Sequence, residues 1–179
     1  MGKNLSVNSA DIIIAGLSAM AGLGALLHLP VWAIFIGWGW YIALGSKKRV
    51  IWDAGITAVM AAVLALSAVA LTDLFQTVMA PLAASMTAVF LMILLMMVLM
   101  KLPMFTSSVV AFNSFSCIFA GYYLQAFPVQ ESYGWSIAAA FLWITGSNVL
   151  GLFLGWLNAA VIAKVQAAKE RKSVAVHEH

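Results

Sequence analysis

Charge is the scarcest property of this chain. Nine Lys or Arg and six Asp or Glu are all it has in 179 residues, 8% against 64% hydrophobic. Soluble domains carry about 25% charged and about 45–50% apolar residues, so lipid rather than water is the expected solvent for most of it. Cysteine is nearly absent too. Cys117 alone rules out an intrachain disulfide and a cysteine-built metal cage. No nucleophile–base pair, phosphate-cradling glycine loop or metal-ligand cluster stands in the sequence, so neither an enzyme nor a cofactor is expected. The formal charge of +3 is spread along the chain and forms no basic face, which argues against a nucleic-acid partner. Strand-like alternation does not compete with the helical pattern.

Six apolar stretches make up the rest. A helical span takes about 20 residues, with about 17–25 tolerated. On that measure the spans run Asp11–Leu27, Pro30–Gly45, Ile51–Leu71, Val78–Met100, Pro103–Leu124 and Trp135–Ala163. Asp11 is placed to cap the first, and Pro30 and Pro81 suit first-turn positions. The second is short and carries Gly37 and Gly39, whereas the sixth is long enough to tilt or project. Ala19-Met20-Ala21 resembles a signal-peptidase site. The apolar run before it is short and opens on Asp11, so a span is expected there.

The basic residues set an orientation. Lys3, Lys47, Lys48, Arg49, Lys101, Lys164, Lys169, Arg171 and Lys172 all fall in gaps that can face one side. The gaps around 28–30, 71–81 and 125–134 hold only Asp73 and Glu131 as charges. Short loops rich in Lys and Arg stay cytoplasmic. The expectation is a multi-pass protein of a bacterial inner membrane with both termini cytoplasmic. Its fold class is all-α, a polytopic membrane bundle of six transmembrane helices over 1–163. A charged cytoplasmic tail over 164–179 is expected to fray. Membrane lipid is its first partner.

The halves echo each other. Leu29-Pro30-Val31-Trp32 opens the second span and Leu102-Pro103-Met104-Phe105 the fifth. Phe35-Ile36-Gly37-Trp38-Gly39 parallels Phe112-Asn113-Ser114-Phe115-Ser116, and Trp52 and Trp135 open the third and sixth spans. Three spans per half would invert the second half in the membrane, a 3+3 inverted repeat of the kind that places a solute site at the repeat interface.

No ionisable residue sits in mid-span; His28 lies at a span end. That argues against a proton relay or sodium–carboxylate coupling in one chain. The fifth span is the polar one, with Thr106, Ser107, Ser108, Asn113, Ser114, Ser116 and Cys117. Two readings stand for it. Its hydroxyls and amide could line a pore, or they could tie helices together and bond back to the preceding turn, the commoner use. Asn113 leans to the pore, because an amide deep in lipid must find partners. Asn148 on the sixth span could meet the fifth. Phe35 or Trp38 could form an aromatic constriction with Phe112 or Phe115, or simply pack beside the glycines. Ser147, Gly151, Gly155, Ala159 and Ala163 form a ridge suited to close helix packing. Thr145 reads as a satisfied hydroxyl. Met92, Met96, Met97 and Met100 read as gap-filling side chains rather than a soft-metal path.

Leu29-Pro30-Val31-Trp32-Ala33-Ile34-Phe35-Ile36-Gly37-Trp38 resembles the first signature of an uncharacterised bacterial inner-membrane family, domain of unknown function 1097. Phe112–Gly121 is similar to that family's second small–aromatic stretch, although Asn113-Ser114 stand where an apolar residue and glycine would be expected. The resemblance implies six spans and a membrane location, and it supplies no substrate.

Together these readings favour a channel or facilitator for a small neutral or weakly ionised polar solute, such as a urea-like amide or a short carboxylic acid. Asn113, Ser114, Ser116 and Asn148 would offer hydrogen bonds, and Phe35, Trp38, Phe112 and Phe115 would set the bore. Six short helices leave little room for a pore, so a homo-oligomer is expected. The alternative is a non-transporting membrane protein that binds a partner subunit or lipid.

Overall fold

The computed structural model describes residues 7–129 and 132–177. Lys3, Glu131 and the last two residues of the expected tail lie outside them. Every regular element among the described residues is helical. The helices are α1 (Ser9–Ala21, continued by a 3-10 turn over Gly22–Leu27), α2 (Val31–Ala43), α3 (Lys48–Phe75), α4 (Pro81–Leu99), α5 (Ser108–Tyr123), α6 (Tyr133–Ala140) and α7 (Gly146–His177). A π-helical segment, Phe141–Thr145, joins α6 to α7, so six helical units stand in the order the sequence implies. Four of these units are long and apolar enough to cross a membrane: Ser9–Leu27, Lys48–Phe75, Pro81–Leu99 and Tyr133–Ala168.

The boundaries have local causes. Asn8, not Asp11, is the N-cap of α1. Its Oδ1 accepts from Ala10 N at 2.8 Å and Asp11 N at 3.0 Å, while Asp11 Oδ2 accepts from Asn8 N at 2.8 Å, a reciprocal box. His28 ends the 3-10 turn in the left-handed region at φ 55°. Pro30 then caps α2 with an extended ψ. Helix α3 begins among the basic residues, where Arg49 Nε reaches Asp53 Oδ2 at 3.1 Å one turn on. The fifth helix starts later than the sequence suggests, at Ser108 rather than Pro103. Ser107 Oγ accepts from Val110 N at 3.3 Å and sets that start, leaving 103–107 as a turn and an extended connection. Beyond 163 the chain continues as helix to His177, consistent with its Ala, Lys, Gln and Glu content.

Packing centres on α3 and α7. Helix α2 lies along α7, α5 and α4 lie along α3, and α1 touches mainly α7. The first half therefore seats its second helix on the third helix of the other half, and the second half does the same in return. Contacts at residue level follow the pairing of Gly37 with Ser114. A Cβ at Gly37 would fall on the carbonyl oxygen of Asn148 in α7. At the equivalent place on α5, Ser114 Oγ donates to the carbonyl of Ala58 in α3 at 2.8 Å.

The α2–α7 seam is a backbone-to-backbone contact. A Cβ at Gly151 would fall on the Ile34 carbonyl, and one at Gly155 would come within 2.9 Å of Tyr41 Cβ and 3.2 Å of Trp38 Cδ1. The small-residue ridge of the last span is thus a packing face against α2 of the same chain. Buried alanines of α3 (Ala54, Ala58, Ala61, Ala62, Ala65, Ala68) play the same part toward α4, α5 and Trp40. Met96 is fully buried in that core, with Met92 and Met100 beside it, while Met97 is exposed.

The loops sort onto two ends. His28 lines a shallow cavity together with Gln125 to Pro128, and Tyr133 Oη donates to Asp73 Oδ2 at 2.8 Å. The three connections poor in Lys and Arg therefore gather at one end, which puts Lys47–Arg49 and Lys101 at the other.

Replacing Gly37 or Gly151 by alanine forces α2 and α7 apart, and such overpacking costs about 1–3 kcal/mol. Gly39→Ala and Gly55→Ala meet no atom within 4 Å and gain helix propensity instead. Thermal unfolding in detergent should drop for the first pair and hold or rise for the second.

Candidate functional site

Helices α2 and α5 are the shortest of the six units, 13 and 16 residues. At 1.5 Å per residue they reach about 20–24 Å, less than the roughly 30 Å hydrocarbon layer. They hold corresponding places in the two halves, and between them runs an open groove of about 430 Å³. Trp32 and Ile36 form one wall, Asn113, Ser116, Cys117 and Ala120 the other.

Polar groups in this groove are uncommitted. The side chains of Asn113 and Ser116 are exposed and bond to no other residue among the described ones. The Cys117 thiol, 5% exposed, lies against the amide of Asn148 on α7. Asn148 is 1% exposed, yet neither its Oδ1 nor its Nδ2 makes a bond of hydrogen-bond geometry. One turn earlier Thr145 Oγ1 is also buried and unpartnered, against the sequence expectation of a satisfied hydroxyl. The cause is local. Thr57, Ser67, Thr72 and Ser147 each donate to the carbonyl four residues back, but Thr145 ends the π-helical segment, where that carbonyl is shifted out of register. The buried indole N–H of Trp38, on the α2 side of α7, is unpartnered as well.

The residues expected from sequence divide between this groove and dry contacts. Asn113 and Ser116 face the groove and Asn148 lies behind it. Ser114 does not line it: the bond to the Ala58 carbonyl seals the hydroxyl inside the α3–α5 seam. The aromatic constriction is not assembled. Trp38 turns into the α7 glycine ridge and stacks on Phe35 at 6.5 Å, leaving Phe35 44% exposed on the outside of α2. Phe115 is buried in the core around α3 and stacks on Phe119 at 5.7 Å, and Phe112 is exposed. These four rings sit on different faces because tight packing with α7 and α3 dictates which way each helix turns. Asn148 meets the fifth span as expected, and Trp143 Nε1 donates to the Leu27 carbonyl at 3.2 Å, tying α7's lead-in to the end of α1. Sequence reasoning missed Trp32, Ile36 and Ala120 as groove walls. Shortness of the second span was the available signal; that of the fifth appears only in the structure.

Among the described residues no three His, Cys, Asp or Glu side chains gather as metal ligands. A bundle of apolar helices, four of them long enough to cross a membrane, defines an all-helical, multi-pass membrane protein. The chain belongs to the family of proteins of unknown function DUF1097, whose profile matches residues 10–163 and so takes in all six helical units. Neither a curated protein nor a solved structure matches it.

The two kinds of polar residue separate by substitution. Ser114→Ala removes a made interhelical bond and should lower stability by about 0.6 kcal/mol, up to about 1.7. Asn148→Leu removes an unpartnered buried amide of similar volume, a change that is neutral or stabilising. Asn113→Leu should behave likewise. A fall in unfolding temperature for Asn148→Leu larger than that for Ser114→Ala would make the amide a structural element instead.

Proposed function

We propose that this protein is a facilitator for a small neutral polar solute, with its site in the α2–α5 groove and the Asn148 amide behind it. One observation carries the reading: donors and acceptors inside a bundle of apolar helices that the fold leaves unpaired among the described residues. Burying an amide unpaired costs about 1–3 kcal/mol by mutational data, so a chain that keeps Asn148 and Thr145 buried in this state, behind the exposed Asn113 and Ser116, has another use for them. Short, glycine- or proline-interrupted helices at corresponding positions of two halves are the usual pointer to a transporter's solute site. The π-helical break beside Asn148 fits the same pattern, because such breaks collect at functional sites.

The exchange of partners between halves supports a 3+3 inverted repeat, and the groove would then lie at the repeat interface. Helix ends bearing Lys47–Arg49 and Lys101 would face the cytoplasm of a bacterial inner-membrane protein, together with both termini. Because the groove opens sideways between α2 and α5, a second copy would close it, so the functional unit would be a homo-oligomer.

Proteoliposome uptake of urea-like amides, short carboxylic acids and water tests the reading. Uptake of at least one solute should fall about tenfold, equal to 1.4 kcal/mol, in Asn148→Leu and Asn113→Leu while the unfolding temperature holds. No uptake across the panel would overturn it and leave the binding of a partner subunit or lipid as the role of the groove. Cysteines placed at Lys48 and at Gln125 should label from opposite faces of the membrane; labelling from one face would overturn the orientation.

A further inference from the structure

We infer that Trp32 is the gate of an entry path that reaches the α2–α5 groove from the end of the bundle bearing His28 and Gln125. The inference rests on the proposed solute site, and adds where the solute enters and what holds it back. Two concavities carry it. The cavity at the bundle end is lined by Ala25, His28, Leu29, Gln125 and Phe127. The deeper groove holds Asn113, Ser116 and Cys117. Trp32 lines both. Its indole crosses from α2 to α5, so that a Cβ on Gly121 would touch the ring edge at 3.5 Å. One side chain therefore stands between the mouth and the polar groups.

The backbone places the mouth. His28 ends the lead-in to α2 at φ 55° and Gln125 ends α5 at φ 52°. Both left-handed terminations turn the chain sharply and set these two polar side chains on opposite lips. Trp32 belongs to the first turn of α2, directly after Pro30, and is 37% exposed. Its ring lies on the α5 side of the helix, whereas the α2–α7 seam begins at Ile34 on another face. At the other end of α2 nothing comparable is free. Tyr41 is 1% exposed, donates to the Ser46 carbonyl at 2.8 Å and is pressed against Gly155. With the sideways opening of the groove closed by the second copy proposed above, the site is bounded by a packed layer toward the basic end and by the Trp32 ring toward the other.

The walls also select. Among the described residues His28 is the one ionisable side chain lining the mouth, and the groove beyond it holds an amide, a hydroxyl and a thiol. No fixed counter-charge meets an ion there, and an uncompensated charge at membrane depth is costly. The path admits neutral species.

Cys117, the only cysteine in the chain, lies past the gate and reports on it directly. The protein in proteoliposomes is treated with neutral methyl methanethiosulfonate or with its trimethylammonium-ethyl analogue, and Cys117 modification is followed by mass spectrometry. Trp32→Ala should speed reaction with the neutral reagent roughly tenfold, because opening no longer limits access. Ala25→Trp, which fills the mouth and removes no contact, should slow it. Trp52→Ala, at the opposite end and 72% exposed, should leave it unchanged, and the cationic reagent should react more slowly throughout. Equal rates in wild type, Trp32→Ala and Ala25→Trp would overturn the gate, and so would equal acceleration by Trp52→Ala. If Trp32→Ala fails to fold, Ala25→Trp decides alone. Solute uptake plays no part in this readout, so a failed uptake panel with gated labelling sinks the facilitator and spares the gate.

Discussion

The seam between α2 and α7 is what the other contacts depend on. Lipid gives helices no hydrophobic reason to associate, so close van der Waals contact between backbones must supply it. Gly37 and Gly151 provide that contact reciprocally, each leaving room for a carbonyl of the opposite helix. This anchoring decides which faces remain. With α2 turned so that Gly37, Trp38 and Tyr41 meet α7, Trp32 and Ile36 are left facing α5 across a gap. The matching seam of α3 with α5 uses Ser114, whose hydroxyl bridges to the Ala58 carbonyl. Asn113 and Ser116, its near neighbours, are thereby turned toward the gap. The groove is a by-product of two seams fixed elsewhere.

Its chemistry follows from the same geometry. A helix that must lie flat against a neighbour cannot also aim every polar side chain at a partner. Asn148 illustrates this: its carbonyl is covered by Gly37, its side chain meets only the Cys117 thiol, and the π-helical turn before it has displaced the acceptor Thr145 would have used. A bound solute with a donor and an acceptor would satisfy these atoms better than the fold does.

Much of the architecture was legible in the residues, and the reasons are specific. Apolar run length and nine well-placed basic residues suffice for six helical units in order, because membrane depth imposes a narrow length range. The small ridge on α7 announced a packing face, though not its partner. Other features were hidden. A π-helical segment has no composition of its own, and Phe141–Thr145 reads like any apolar stretch. Pro103 suits a first turn, so the delayed start of α5 at Ser108 depends on the Ser107 cap, which only geometry reveals. Side-chain direction was the weakest inference: Ser114 and Asn113 are adjacent and alike in polarity, yet one is sealed and the other open. A one-residue change of helix phase separates them, and phase is set by partners far away in sequence.

The crossed seating of the helices bears on how the protein is made. Because α2 rests on α7 and α5 on α3, the first three helices have no complete set of neighbours until the last has left the ribosome. They must wait in the bilayer as loosely associated spans, and neither half is a folding unit by itself. Truncation anywhere before α7 would leave α2 without its seat and expose the nascent product to membrane quality control.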